Sequence, residues 1–140
     1  MEKKQTIVET RKHPYENNDD YGGEVEISGA SKLKITWDPN TRCEMNYDYL
    51  KLYKNEEGPP ENQIKSSPNS TDGKWTGTTP DCWPSFELTG VNKIVWKWRT
   101  DSSNVDWGFR MIIEPTFVNF GNSTQIREKI ILADGMVPIL

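Results

Sequence analysis

The sequence predicts an all-β fold, an antiparallel β-sandwich, and three features carry that expectation. Aromatic residues are dense, with six Trp, five Tyr and four Phe, and such side chains suit a pleated, half-buried surface. Apolar residues recur with period two in short runs. Between the runs stand Gly, Pro, Asn and Asp clusters of the kind that end strands.

Taken in chain order, Thr6 to Thr10 is a candidate edge strand. Glu24 to Ile27 alternates and stops at Ser28-Gly29-Ala30. Leu33, Ile35 and Trp37 point one way and Lys32, Lys34 and Thr36 the other, until Asp38-Pro39-Asn40 ends the run. From Tyr47 to Tyr53 the alternation sets Leu50 and Leu52 against Tyr49, Lys51 and Tyr53. Asn55 to Gly73 is polar and reads as a long surface loop and as the part of the chain most prone to disorder. Strand character resumes at Lys74-Trp75-Thr76, at Ser85 to Leu88, and at Lys93 to Arg99, where Ile94, Trp96 and Trp98 share a face. Trp107, Phe109, Met111 and Ile113 share a face of the last predicted strand, Trp107 to Glu114, and Trp107 is expected to pack inside. After Pro115 the pattern changes, and Thr124 to Ala133 has helical character ended by Asp134-Gly135. The expected organisation is one sandwich over residues 1–117 and a short C-terminal extension, 118–140, that caps it or begins a neighbouring element.

Composition narrows the function. The chain of 140 residues is 34% hydrophobic and 27% charged, with a net charge of -4, and its cations are scattered. That excludes the basic stripe of a nucleic-acid binder. No apolar run is long enough to span a membrane, and the N-terminus lacks the apolar core of a signal peptide. The expected location is therefore the cytoplasm, or outside the cell if a leader is missing. In that setting Cys43 and Cys82 read as free thiols. The acceptor patterns at Asn69 and Asn122 matter only for a secreted chain.

Catalysis lacks a constellation. His13 is the one histidine and stands before Pro14, remote in sequence from either cysteine, and zinc would need more Cys and His than the chain holds. No phosphate-cradling loop is present. The expectation is a non-enzyme. A hard cation is a different matter, because calcium takes its six to eight ligands from oxygen. Glu44 and Asp48 lie four apart, and Asp101 opens the loop Asp101-Ser102-Ser103-Asn104. If the strand ending at Arg99 runs beside the one starting at Tyr47, the three acids meet at one end of a sheet, with Ser103 and Asn104 as further oxygen donors. The same residues also suit ordinary loop acids, with Asp101 closing an Asx-turn.

Several segments, in order, resemble a CUB domain, and more closely the CUB-like modules inside large intracellular multidomain proteins, including ubiquitin-ligase-like ones. They are His13-Pro14-Tyr15-Glu16-Asn17-Asn18, then LKITWDPNTRCEMNYDYLKLY, WTG, CWP, and the Asp101 loop running into Trp107-Gly108-Phe109. The resemblance spans about residues 7–117. It implies a jelly-roll-like CUB architecture. It also implies calcium on Glu44, Asp48 and Asp101, because calcium-binding CUB domains place a Glu before a Tyr-Asp-Tyr strand and a later acidic Ser loop before Gly-Phe. Two departures stand out: Thr100 replaces the usual Ser, and there are too few cysteines for the two usual disulfides.

The implied function is a non-catalytic protein-interaction or scaffolding module. Its loop end would bind a basic side chain of a protein partner through Tyr47, Asp101, Asn104 and Asp106. Two other readings compete with it. One is a glycan-binding sandwich using Tyr47, Tyr49, Trp75 or Trp83; the other is a structural subunit of a larger assembly docked by its tail.

Overall fold

The computed structural model describes residues 5–118. Eight strands follow one another: β1 (Thr6–Glu9), β2 (Asp20–Glu26), β3 (Ala30–Trp37), β4 (Tyr49–Lys54), β5 (Gln63–Ile64), β6 (Phe86–Thr89), β7 (Lys93–Arg99) and β8 (Arg110–Phe117). They form two four-stranded antiparallel sheets, ordered β1-β8-β3-β6 and β2-β7-β4-β5. No α-helix occurs among the described residues, whose only helical turns are the 3-10 turns Pro60–Asn62 and Pro80–Cys82. The tail from 119 onward, with the helical expectation at Thr124 to Ala133, lies outside the described residues.

The alternation read in the sequence builds the core. Leu33 and Ile35 of β3, Leu50 and Leu52 of β4, Ile94 and Trp98 of β7, and Met111 and Ile113 of β8 are all buried between the sheets. At full burial each aliphatic side chain contributes about 1.5–3 kcal/mol. Aromatic rings complete the core. Trp37, Trp75, Trp83 and Phe86 form one cluster, and Trp96, Trp98 and Phe109 form another. Most of these indoles also find carbonyl acceptors: Trp37 donates to Pro84 O (3.0 Å), Trp75 to Ile64 O (2.8 Å) and Trp83 to Gly77 O (3.1 Å). Such a partner offsets the desolvation of a buried indole N–H; the buried Trp98 Nε1 has none.

Five elements differ from the sequence expectation. β2 begins at Asp20, upstream of Glu24, and runs through Gly22 and Gly23. Glycine has no side-chain period to read. The polar stretch 55–73 holds an ordered strand, because β5 pairs Ile64 with Leu52 and the Trp75 indole binds the same residue. Tyr47 and Asp48 precede β4 in a turn, and Lys74 to Thr76 contributes only an isolated bridge between Leu50 and Trp75. The last strand starts at Arg110 and continues through Pro115 to Phe117. β1 pairs with β8 only as far as Ile113, so Pro115 follows the last residue whose N–H that neighbour could use. Trp107 lies ahead of the strand, half-buried, and stacks on His13 with ring centroids 3.8 Å apart.

Cys43 and Cys82 are both free. Cys43 is buried and donates to Asp48 O at 3.2 Å, and burial pushes its thiol up to about 12.

Candidate functional site

The register of the second sheet decides what meets at its end. Tyr49 of β4 pairs with Arg99 of β7, so the residues just before β4 and just after β7 face each other. Asp48 comes directly before β4, and Asp101 follows β7 after one intervening residue, Thr100. The Asp101 backbone N–H donates to Asp48 Oδ1 at 2.9 Å. Glu44 joins them through a single turn in which Asp48 N–H donates to Glu44 O at 3.1 Å. Asn46, inside that turn, adopts the left-handed conformation with φ 73°, which asparagine tolerates better than most residues. The Thr76 hydroxyl clamps the turn: it donates to Asp48 O (2.6 Å) and accepts from Asn46 N–H (2.8 Å).

Carboxylate oxygens of Glu44, Asp48 and Asp101 lie within 4.8 Å of one another. Asp48 is fully buried. Burial pushes its carboxyl up to about 6, opposed by hydrogen bonds from Tyr15 and from the Asp101 N–H and reinforced by the charges of Asp101 and Glu44. Tyr15 supplies the central partner, with its hydroxyl donating to Asp48 Oδ2 at 2.5 Å and accepting from Glu44 N–H at 3.1 Å. Burial, then the bond to Asp48, raise the Tyr15 phenol above its ordinary range. It is therefore a fixed donor. Glu44 Oε2 accepts from Asn104 Nδ2 at 2.8 Å, whereas Glu44 Oε1 is buried with no hydrogen-bond partner. None of the three acids forms an ion pair among the described residues.

A buried carboxylate oxygen left without a partner is costly, and clustered acids without a cation repel. A hard cation would satisfy both. The residues present therefore fit calcium, which favours several carboxylate and amide oxygens.

The remaining predicted residues are distributed as follows. Ser103 is exposed, and its N–H donates to Asp101 Oδ1 at 3.3 Å. Asn104 reaches Glu44 from a left-handed backbone, φ 65°. Tyr47 stands 64% exposed at the rim, close in sequence to the exposed Met45. Asp106 is drawn away from the triad, pairing with Arg42 at 3.0 Å while its other oxygen accepts from Trp107 N–H. The Thr100 hydroxyl keeps a hydroxyl's role: it accepts from Asp19 N–H (2.7 Å) and donates to Glu16 O (2.8 Å), tying the loop to the segment before β2. Of the aromatic residues considered for a sugar platform, Trp75 and Trp83 are core residues, leaving Tyr47 and the half-buried Tyr49. Sequence reasoning missed Tyr15 as a site residue, although its HPYENN segment was already part of the family resemblance.

Comparison with known proteins bears on the fold. No protein-family model matches the chain. The human zinc finger ZZ-type and EF-hand domain-containing protein 1 is 27% identical over 134 residues, 95% of this chain, and the mouse protein of that name is equally similar. The chain spans only 4% of the length of these relatives. Among solved structures, the CUB1-EGF-CUB2 domain of human MASP-1/3 superposes with a TM-score of 0.59 at 13% identity, over 82% of this chain and 42% of that one. The fold is a CUB-like β-sandwich.

Proposed function

We propose that this CUB-like sandwich is a non-catalytic protein-interaction module whose loop end is organised by calcium. The observation that carries the reading is the buried, unpartnered Glu44 Oε1 beside the buried Asp48 carboxylate, with Asp101 completing the cluster. Glu44, Asp48 and Asp101 would hold the ion, with Ser103 and Asn104 as further oxygen donors. Bound calcium supplies charge compensation, which lets all three acids stay ionised in a partly dry site. Carboxylates fixed in that way pair better with a partner's lysine or arginine than mobile surface acids do. Tyr47, Asp101 and Asn104 would frame that contact, Asp106 being paired with Arg42, and the exposed Met45 and Val105 add apolar area nearby.

Calorimetric titration with calcium tests the reading. The wild type should release heat and gain melting temperature, and the Asp48→Ala and Asp101→Ala variants should do neither. A wild type that shows no heat and no thermal shift at about millimolar calcium, the range of weak extracellular-type sites, overturns it. A glycan platform has weaker support, since two of its four aromatic residues are in the core.

A further inference from the structure

A second surface lies on the outer face of the same sheet, opposite in sign to the loop end. A groove of about 310 Å³ is lined by Tyr49, Lys51 and Tyr53 of β4 and by Lys97 and Arg99 of β7. β4 and β7 are the two interior strands of their sheet, so these cations are not guarding an exposed edge. Lys51 and Lys97 are direct cross-strand partners, and like charges placed directly opposite destabilise a sheet. Lys97 pairs with Glu57 at 3.2 Å, and Arg99 has Asp20 as its cross-strand register partner. Lys51 and Arg99 form no ion pair among the described residues. On the other side of Lys97 the register partner is Gly22, whose Cβ would lie 2.4 Å from Trp96 O, so no side chain can stand there to neutralise the lysine. In a chain of net charge -4, this basic pair in mid-sheet is offset only in part, by the Lys97–Glu57 ion pair and by the Tyr49 ring near Lys51.

We infer that this groove is a docking surface for an extended acidic peptide segment. Three features select that occupant. Lys97 and Arg99 are two residues apart on one strand, a spacing of about 7 Å that matches alternate side chains of an extended peptide. Tyr49 and Tyr53, flanking Lys51 on β4, offer ring faces and hydroxyls between the charges. Asp20 and Glu57 line the same groove, and they penalise a densely sulfated polymer more than a peptide with spaced acids. Recognition would run through side chains, because the backbone groups of β4 and β7 are already paired on both sides.

The test uses a fluorescein-labelled peptide of alternating Glu and Gly, titrated by anisotropy in the presence of a chelator, so the calcium reading has no bearing on the result. The wild type should bind saturably and more weakly as salt rises. Lys51→Glu and Arg99→Glu should each weaken binding at least tenfold, whereas Lys34→Glu, an exposed cation on the other sheet, should leave it unchanged. Absence of saturable binding overturns the inference, as does an equal loss with Lys34→Glu, which would mean diffuse attraction. A heparin fragment that binds through Lys51 and Arg99 more tightly than the peptide would overturn it in favour of a sulfated glycan. Urea melts of each variant confirm that the compared proteins are folded.

Discussion

The loop end and the outer groove lie on the same pair of strands, yet they hold charge in opposite ways. At the loop end, acids are crowded, buried and fixed by a network: Asp48 is held by Tyr15 and the Asp101 N–H, and the turn before it by Thr76. In the groove, cations stand at the regular spacing of a pleated strand, with solvent on one side and exposed contacts such as Lys97–Glu57 in place of a buried network. The difference is one of leverage. Changing a buried, doubly bonded group should cost kilocalories, whereas changing an exposed, repelling one should cost nothing or stabilise.

The largest expected effect is at Tyr15. Tyr15→Phe removes the donor to Asp48 and the acceptor for Glu44 N–H together, leaving a buried carboxylate and a backbone donor short of partners. A loss of about 2–4 kcal/mol at neutral pH is expected, read from urea denaturation in chelator. A loss below about 0.5 kcal/mol would mean that water replaces the hydroxyl, and the loop end would then be as loosely held as the groove.

Acidity gives the next effect. Burial raises the Asp48 carboxyl to about 6 from an ordinary 3.8, so the folded protein binds this proton more tightly than the unfolded chain does. Its contribution to stability is complete below about pH 4 and is lost as pH rises through about 6. The loss is of order 1–3 kcal/mol and should appear in metal-free melts from pH 4 to 7, with Asp48→Ala flattening that part of the profile. Calcium competes with the proton, so the calcium-dependent rise in melting temperature should grow over the same interval.

The smallest effect has the opposite sign. Lys51→Glu replaces a cross-strand repulsion by an attraction to Lys97, and a gain of about 0.2–1 kcal/mol is expected. A destabilised variant would show that the lysine stem packs against Tyr49, over whose ring its Nζ stands at 5.6 Å, and would weaken the case that the pair is kept at a cost.

How legible each region is in the sequence follows from how its residues are recruited. β7 runs over Lys93–Arg99, the span its alternation indicates, because every second residue enters the core. β5 cannot be read from its two residues, since it exists only through pairing with β4 and the bond from Trp75. The acids Glu44, Asp48 and Asp101 are legible from their placement around two strand ends, given one assumption about strand adjacency that the β4–β7 register meets. Tyr15 as their central partner is not, because nothing local marks which hydroxyl bonds a buried acid 33 positions away. Asp106 shows the converse: acidic and in the right loop, it is claimed by Arg42. The groove, too, is hidden in one dimension. Lys51 and Lys97 become a repelling pair only once the register is known.

The indole of Trp75 bears on more than the core. By holding Ile64, it divides the polar stretch between β4 and Trp75 into two short lobes in place of one long one. Added residues in the outer lobe, around the exposed Ser67-Pro68-Asn69, would lengthen only a loop already closed at both ends, and closure entropy grows slowly with length. That lobe is where the fold can accept a graft, a tag or an inserted domain while leaving β4, the groove and the carboxylate turn in register.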